Sequence, residues 1–173
     1  MKYHNITHPD MNNGDGLRVV LWLSGCSHKC KGCQNPQTWS VDSGIPFDEE
    51  AEKELFEVLE NDYISGITFS GGDPLHDNNI KDVLNLINKI RLLLPEKTIW
   101  LYSGYIWEDI FLPTRDELSR IRRDIISQCD VFVDGRYIDE LRNITLKWRG
   151  SQNQRVIDCK KSIQENKIIL FTD

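Results

Sequence analysis

Residues 17–33 read Leu17-Arg18-Val19-Val20-Leu21-Trp22-Leu23-Ser24-Gly25-Cys26-Ser27-His28-Lys29-Cys30-Lys31-Gly32-Cys33. The first eight, Leu17 to Ser24, form a short, nearly continuous apolar run. That is the pattern of a strand buried on both faces of a parallel sheet. A glycine and three cysteines follow at once, so fold and chemistry meet at the end of this strand.

Outward from that junction the strand-then-glycine pattern repeats. Gly66–Ser70 predicts a second strand followed by Gly71-Gly72. Thr98–Ser103 predicts a third followed by Gly104, and Asp130–Asp134 a fourth followed by Gly135. Helical stretches lie between them. Asp48 to Asn61 carries Ala51, Leu55, Val58 and Leu59 at helix spacing, with Asp48 as N-cap and acids in the first turn. Asn79 to Leu94 sets Ile80, Val83, Leu84, Ile87 and Leu94 on one face and stops at Pro95. Thr114-Arg115-Asp116-Glu117 reads as a capping box, opening a helix with Leu118, Ile121 and Ile125. From Arg142 the pattern weakens, and Ile168–Phe171 is a candidate edge strand. Alternating strands and helices imply an α/β fold with a mostly parallel sheet and right-handed crossovers. The C-terminal strand ends then share one rim, where ligands bind. Glycines there let the backbone approach a ligand closely.

At 173 residues the chain is the size of one domain. The longest clean apolar run, Val19 to Leu23, is far shorter than the roughly 20 residues of a membrane helix, and mean hydropathy is −0.45. Met1-Lys2-Tyr3-His4-Asn5 lacks the apolar stretch of a secretory signal, so a cytoplasmic location is expected. The net charge of −6 excludes a global basic footprint for nucleic acid. Acids concentrate between Asp48 and Asp62, as a solvated helix face or an acidic docking surface for a protein partner.

Five cysteines without a secretory signal argue against a disulfide scaffold. Three of them, Cys26, Cys30 and Cys33, make a C-x3-C-x2-C spacing, suited to an iron–sulfur cluster or zinc. Structural zinc is normally closed by four ligands, and here there is one triplet with no second pair. A four-iron cluster on three cysteines leaves one iron open to a substrate or cofactor. Lys29 and Lys31 either favour thiolates electrostatically or are simply surface lysines. His28 is a zinc ligand if the metal is zinc, and otherwise an exposed loop histidine.

The C-x3-C-x2-C loop after the first strand resembles the cluster loop of the radical S-adenosylmethionine enzymes, and Ser70-Gly71-Gly72-Asp73-Pro74 resembles their methionine-binding turn. Within that superfamily the chain is similar to the family that activates anaerobic (class III) ribonucleoside-triphosphate reductases. Asn13-Gly14-Asp15-Gly16, Cys33-Gln34-Asn35 with Thr38-Trp39, and Gly71 to His76 carry this likeness. So do Ser103-Gly104-Tyr105, Val133-Asp134-Gly135 and Trp148 to Gln154. The likeness covers roughly residues 3–158. It implies a partial (open) parallel β/α barrel over residues 1–158, leaving 159–173 as a C-terminal tail of unassigned role.

It also implies a [4Fe–4S] cluster on Cys26, Cys30 and Cys33, with S-adenosylmethionine on the open iron. Reductive cleavage would give methionine and a 5′-deoxyadenosyl radical, which generates a glycyl radical on the large reductase subunit. A one-electron donor such as a flavodoxin is the second implied partner, and no catalytic residue separate from the cluster is needed. By this likeness Gly71, Gly72 and Asp73 hold the methionine amino group through carbonyl and carboxylate acceptors. Gly32, Cys33 and Gln34 lie against the nucleoside. The superfamily often has an aromatic residue where Gly32 stands and Glu where Asp73 stands; both departures resemble the reductase-activating branch.

Two other readings stay open: a radical enzyme acting on another glycyl-radical enzyme or a small molecule, and a non-catalytic zinc or iron–sulfur module. His76 reads as a helix-entry contact, Cys129 as a buried small hydrophobe and Cys159 as neither ligand nor nucleophile. Trp100, Tyr102, Tyr105 and Trp107 read as core packing, and Trp148-Arg149 as core edge or partner surface.

Overall fold

The computed structural model describes residues 1–172. Strand β1 (Lys2–Asp10) leads into β2 (Arg18–Leu23), and β3 (Ile45–Pro46) precedes helix α1 (Glu49–Leu59). Then come β4 (Gly66–Gly71), α2 (Ile80–Leu93), β5 (Thr98–Tyr102), α3 (Trp107–Phe111), α4 (Glu117–Gln128) and β6 (Val131–Asp134). Strand β7 (Arg155–Asp158) and helix α5 (Cys159–Glu165) complete the chain. The strands form one sheet in the order β3-β1-β2-β4-β5-β6-β7.

Its middle is parallel, β2 to β4 to β5 to β6. Both edges are antiparallel, so the sheet is mixed, with the mostly parallel arrangement expected confined to its middle. The reason lies in the connections. A parallel neighbour needs a long crossover, which α1, α2 and α4 supply. The link from β1 to β2 is a short loop, and β7 begins on the rim where β6 ends. Both can only reverse direction.

Side chains alternate across the strands. Val19, Leu21, Leu23, Ile67, Phe69, Ile99, Leu101, Phe132 and Ile157 pack with α1, α2, α4 and α5 in the main core. The opposite face carries Trp100, Val131, Val133 and Val156, covered by Tyr102, Trp148 and Phe171. All the long helices therefore lie on one side. Helix α1 forms as the sequence predicts: the Asp48 carboxylate accepts from Ala51 N at 3.1 Å, and Ala51, Leu55 and Leu59 are buried.

On the loop-covered face sits Arg18, fully buried. Its guanidinium donates to Thr68 Oγ1, Thr98 Oγ1 and the carbonyls of Asp15, Ile67 and Thr98, at 2.6–3.0 Å. Every hydrogen-bonding nitrogen is used, which is what makes a buried guanidinium tolerable. Burial still lowers it to a pKa of about 10.

Strands β1, β3 and β7, with helices α3 and α5, lie outside the predicted elements. Strand β1 is polar and its pairing slips between Tyr3 and Asn5 and again between Thr7 and Asp10, which breaks the period-two alternation. The predicted capping box is displaced. The cap of α4 is Asp116, whose carboxylate accepts from Ser119 N, while Thr114 Oγ1 accepts from Asp116 N. The tail run does lie along β7, through the bridge Ile157↔Leu170 and bonds from Asp158 N to Ile169 O and Phe171 N to Val156 O. Among the described residues no helix is long and apolar enough to cross a membrane.

Candidate cluster and cofactor site

Because β2, β4, β5 and β6 run parallel, the turns that follow them meet on one rim. A cavity of about 150 Å³ opens there, walled by Cys26, Cys30, Cys33, Gly71, Gly72 and Asp73. The structure thus brings together six of the residues singled out from sequence. A second cavity of about 440 Å³ adjoins it over the loop-covered face of the sheet and shares Cys30, Cys33, Tyr102, Tyr137 and Gln154. Gln34 lines this second cavity. Gly32 lines neither; its φ is +75°, and a Cβ there would meet the Asp139 carboxylate at 2.8 Å.

Backbone hydrogen bonds hold the cysteine loop at its root. Gly25 N donates to Thr38 O at 2.7 Å and Cys26 N to Trp39 O at 3.0 Å. The glycine turn is joined to it: Gly72 N donates to Leu23 O and Asp73 N to Gly25 O, at 2.8 and 2.7 Å. Asn79, at the start of α2, leaves its helix uncapped and donates instead to Ser24 O at 2.7 Å and Asp73 O at 3.0 Å.

The Asp73 carboxylate is a hub. Oδ1 accepts from Leu75 N and Ser103 Oγ, both at 2.8 Å, while Oδ2 takes Ser103 Oγ at 3.0 Å and Gly104 N at 3.2 Å. His28 Nε2 lies 2.7 Å from the same Oδ2, a charge-contact distance without hydrogen-bond alignment, and its Nδ1 has no partner. The His28 side chain is 6% exposed, correcting the expectation of an exposed loop histidine. His76 is the helix-entry contact anticipated, accepting from Asn78 N at Nδ1 and from Ile80 N at its carbonyl.

Each site sulfur faces backbone N–H groups. Those of His28 and Lys29 reach Cys26, that of Tyr137 reaches Cys30, and Asn35 N donates to Cys33 Sγ at 3.4 Å. Burial nonetheless pushes the Cys26 and Cys30 thiols above the ordinary value, with the Asp73 charge adding to the rise at Cys26. Lys31 does not act on them; it is exposed and pairs with Glu140 at 3.2 Å. Cys129 and Cys159 are fully buried in the core, away from the cavity, as their isolation in the sequence suggested.

Among the described residues four buried side-chain atoms have no hydrogen-bond partner: His28 Nδ1, Trp39 Nε1, Tyr102 Oη and His28 Nε2, the last meeting Asp73 Oδ2 without alignment. All belong to residues lining the cysteine cavity. Buried polar atoms are nearly always satisfied, so such a cluster marks a place for a ligand. Tyr102 packs against the Trp100 cluster, as its reading as core packing expects, and also lines both cavities. Three sulfurs with N–H donors, unspent polar atoms and adjoining space fit a thiolate-held cluster with a bound organic cofactor. The three sulfurs share a cavity wall rather than a point. Among the described residues no three His, Cys, Asp or Glu side chains are grouped to hold a single metal ion.

Comparison with known proteins agrees with this geometry. Residues 12–157 match the family described as a 4Fe-4S single cluster domain. The anaerobic ribonucleoside-triphosphate reductase-activating protein of Escherichia coli K12 is 40% identical over 158 residues, covering 90% of this chain and 97% of the relative. The protein of the same name from Enterobacteria phage T4 is 41% identical over 156 residues, covering 90% and 93%. That of Haemophilus influenzae is 38% identical over 156 residues, covering 89% and 96%. The chain belongs to the family of anaerobic ribonucleoside-triphosphate reductase-activating proteins. The family's single-cluster region spans the strand rim, both cavities and all three loop cysteines.

Proposed function

We propose that this chain is a radical S-adenosylmethionine activase that installs a glycyl radical on the large subunit of an anaerobic ribonucleoside-triphosphate reductase. The observation that carries the reading is the convergence of three loop cysteines, the Gly71-Gly72-Asp73 turn and the unpartnered buried atoms His28 Nδ1, Trp39 Nε1 and Tyr102 Oη on one cavity. Cys26, Cys30 and Cys33 would hold a [4Fe–4S] cluster. When bound, such a cluster supplies the electron that cleaves the sulfonium C–S bond of S-adenosylmethionine and delivers a 5′-deoxyadenosyl radical.

The protein's own work is placement. Gly71 and Gly72, with Asp73 behind them, form the turn that receives the cofactor's amino group. Cys33 and Gln34, which line the larger of the two adjoining cavities, would lie along the nucleoside, with the backbone of Gly32 leading into them. Trp39 and Tyr102, which line the cysteine cavity, would help to shield the reacting bond from water. The sheet, with helices on one side and a cavity on the other, serves as the open barrel of this enzyme class, acting in the cytoplasm with a one-electron donor such as a flavodoxin.

The partner is tested directly. The reduced, cluster-loaded protein is mixed with S-adenosylmethionine and the large subunit of an anaerobic ribonucleoside-triphosphate reductase, and electron paramagnetic resonance is recorded. A glycyl-radical doublet dependent on Cys30 supports the reading. Cofactor cleavage without any radical on that subunit assigns the chemistry to another substrate.

A further inference from the structure

His28 stands inside the cysteine loop, yet its ring is turned inward onto a different part of the rim. It sits edge-on to Tyr105 at 4.9 Å and reaches Asp73 Oδ2 at 2.7 Å. Lys29, the next residue, adopts a left-handed φ of +46°, a conformation that costs a non-glycine residue free energy. The opposite wall makes room for the ring. A Cβ on Gly104 would lie 2.3 Å from His28 Cδ2 and 2.7 Å from Nε2. The φ of Gly104 lies outside the left-handed range, so the imidazole, not the backbone, is what asks for glycine there.

A carboxylate offers about four lone-pair positions. At Asp73 hydrogen bonds from Leu75 N, Ser103 Oγ and Gly104 N take most of them, and His28 Nε2 closes on Oδ2 as a 2.7 Å polar contact. Asp73 is 1% exposed. We propose that His28 is a positioning residue that pins the cysteine loop to Asp73. Asp73 is then its anchor, and the cofactor's amino group falls to the glycine carbonyls. The contact joins three separate turns of the rim, those after β2, β4 and β5, so the sulfurs are set before any cluster arrives. This inference rests on the cluster reading for its purpose, though not for its geometry.

The test uses the full-length protein without cluster, alkylated by iodoacetamide and read cysteine by cysteine by mass spectrometry. Cys129 and Cys159, fully buried, report global opening. His28→Ala and Gly104→Ala, which attack the contact from its two sides, should each raise labelling at Cys26 and Cys30 about tenfold, equivalent to about 1.4 kcal/mol of lost loop protection. Cys129 and Cys159 stay protected. His28→Gln, which keeps an N–H of similar reach, should restore part of the protection, and adding Asp73→Asn to His28→Ala should raise labelling no further. Wild-type labelling of Cys26 and Cys30 in both His28→Ala and Gly104→Ala overturns the proposal. So does a rise shared equally by Cys129 and Cys159 in both. Iron uptake is measured on unalkylated portions of the same preparations: wild-type protein that binds no iron sinks the cluster reading and leaves the labelling result intact.

Discussion

The N–H of Asp73 donates to the carbonyl of Gly25 across 2.7 Å, tying the glycine turn after β4 to the entrance of the cysteine loop. The approach is possible because Gly72 has no side chain: a Cβ there would sit 2.5 Å from Gly25 O. Gly72→Ala must push the two turns apart. Overpacking of this kind costs about 1–3 kcal/mol, and the displaced loop should hold less iron. Urea unfolding and iron content after anaerobic reconstitution check both. A variant with wild-type iron content would show that this junction does not set the cysteine geometry.

Tyr102 Oη is buried without a partner, and burial raises its pKa, so the hydroxyl keeps its proton. An unsatisfied buried hydroxyl costs roughly 1–3 kcal/mol. Tyr102→Phe should therefore leave the empty protein as stable as wild type or more so. If the hydroxyl is held for the cofactor, the same change should weaken S-adenosylmethionine binding to the loaded protein by about tenfold, or roughly 1.4 kcal/mol. Calorimetric unfolding and equilibrium dialysis give the two halves. Unchanged binding would make Tyr102 a wall and not a ligand.

The five cysteines should divide three against two. Alanine at Cys26, Cys30 or Cys33 should abolish stable cluster assembly. Burial raises Cys129 and Cys159 far above the ordinary thiol value, leaving them inert. Alanine at either should cost about 1 kcal/mol of stability with full iron content.

At the opposite end of the strands Asp130 Oδ2 accepts from Arg91 Nη2 and Ile99 N at 2.7 Å, and Lys160 Nζ is 2.6 Å from Oδ1. Burial, the largest influence, opposes its charge, but these donors outweigh it and hold the carboxyl below its ordinary 3.8. The unfolded chain therefore binds more protons between the folded value and 3.8. The contribution is complete above 3.8 and is lost as pH falls through the folded value. Asp130→Asn should destabilise the cluster-free protein by roughly 2 kcal/mol at pH 7, and the gap to wild type should narrow below pH 3.8. Urea midpoints across pH 3–7 test this, and a gap that stays constant would contradict it.

What the sequence discloses here follows from burial and spacing. The central strands are near-continuous apolar runs because both faces are covered, and each ends in a glycine because the rim is crowded. Those features made β2, β4, β5, β6, α1 and α2 legible, together with the cysteine and glycine turns of the site. The edges were not: β1 is half-exposed with a slipped register, and β3 is only two residues long. His28 was misread, and the place of Tyr102 at the cavities was missed, for a shared reason. Each is a common residue type whose importance comes from what lies across the rim, Asp73 and Gly104 in one case and the two cavities in the other. The bare Gly104 after β5 was the one available signal that something bulky from elsewhere packs there.

The central claim is the cofactor chemistry, and one assay addresses it. Anaerobically reconstituted protein is reduced and given S-adenosylmethionine. 5′-Deoxyadenosine is then quantified beside iron, sulfide and zinc, with Cys30→Ala in parallel. The account predicts about four irons per chain for a single four-iron cluster and 5′-deoxyadenosine that disappears in the variant. Bound zinc, or a cluster with no nucleoside product, would contradict it.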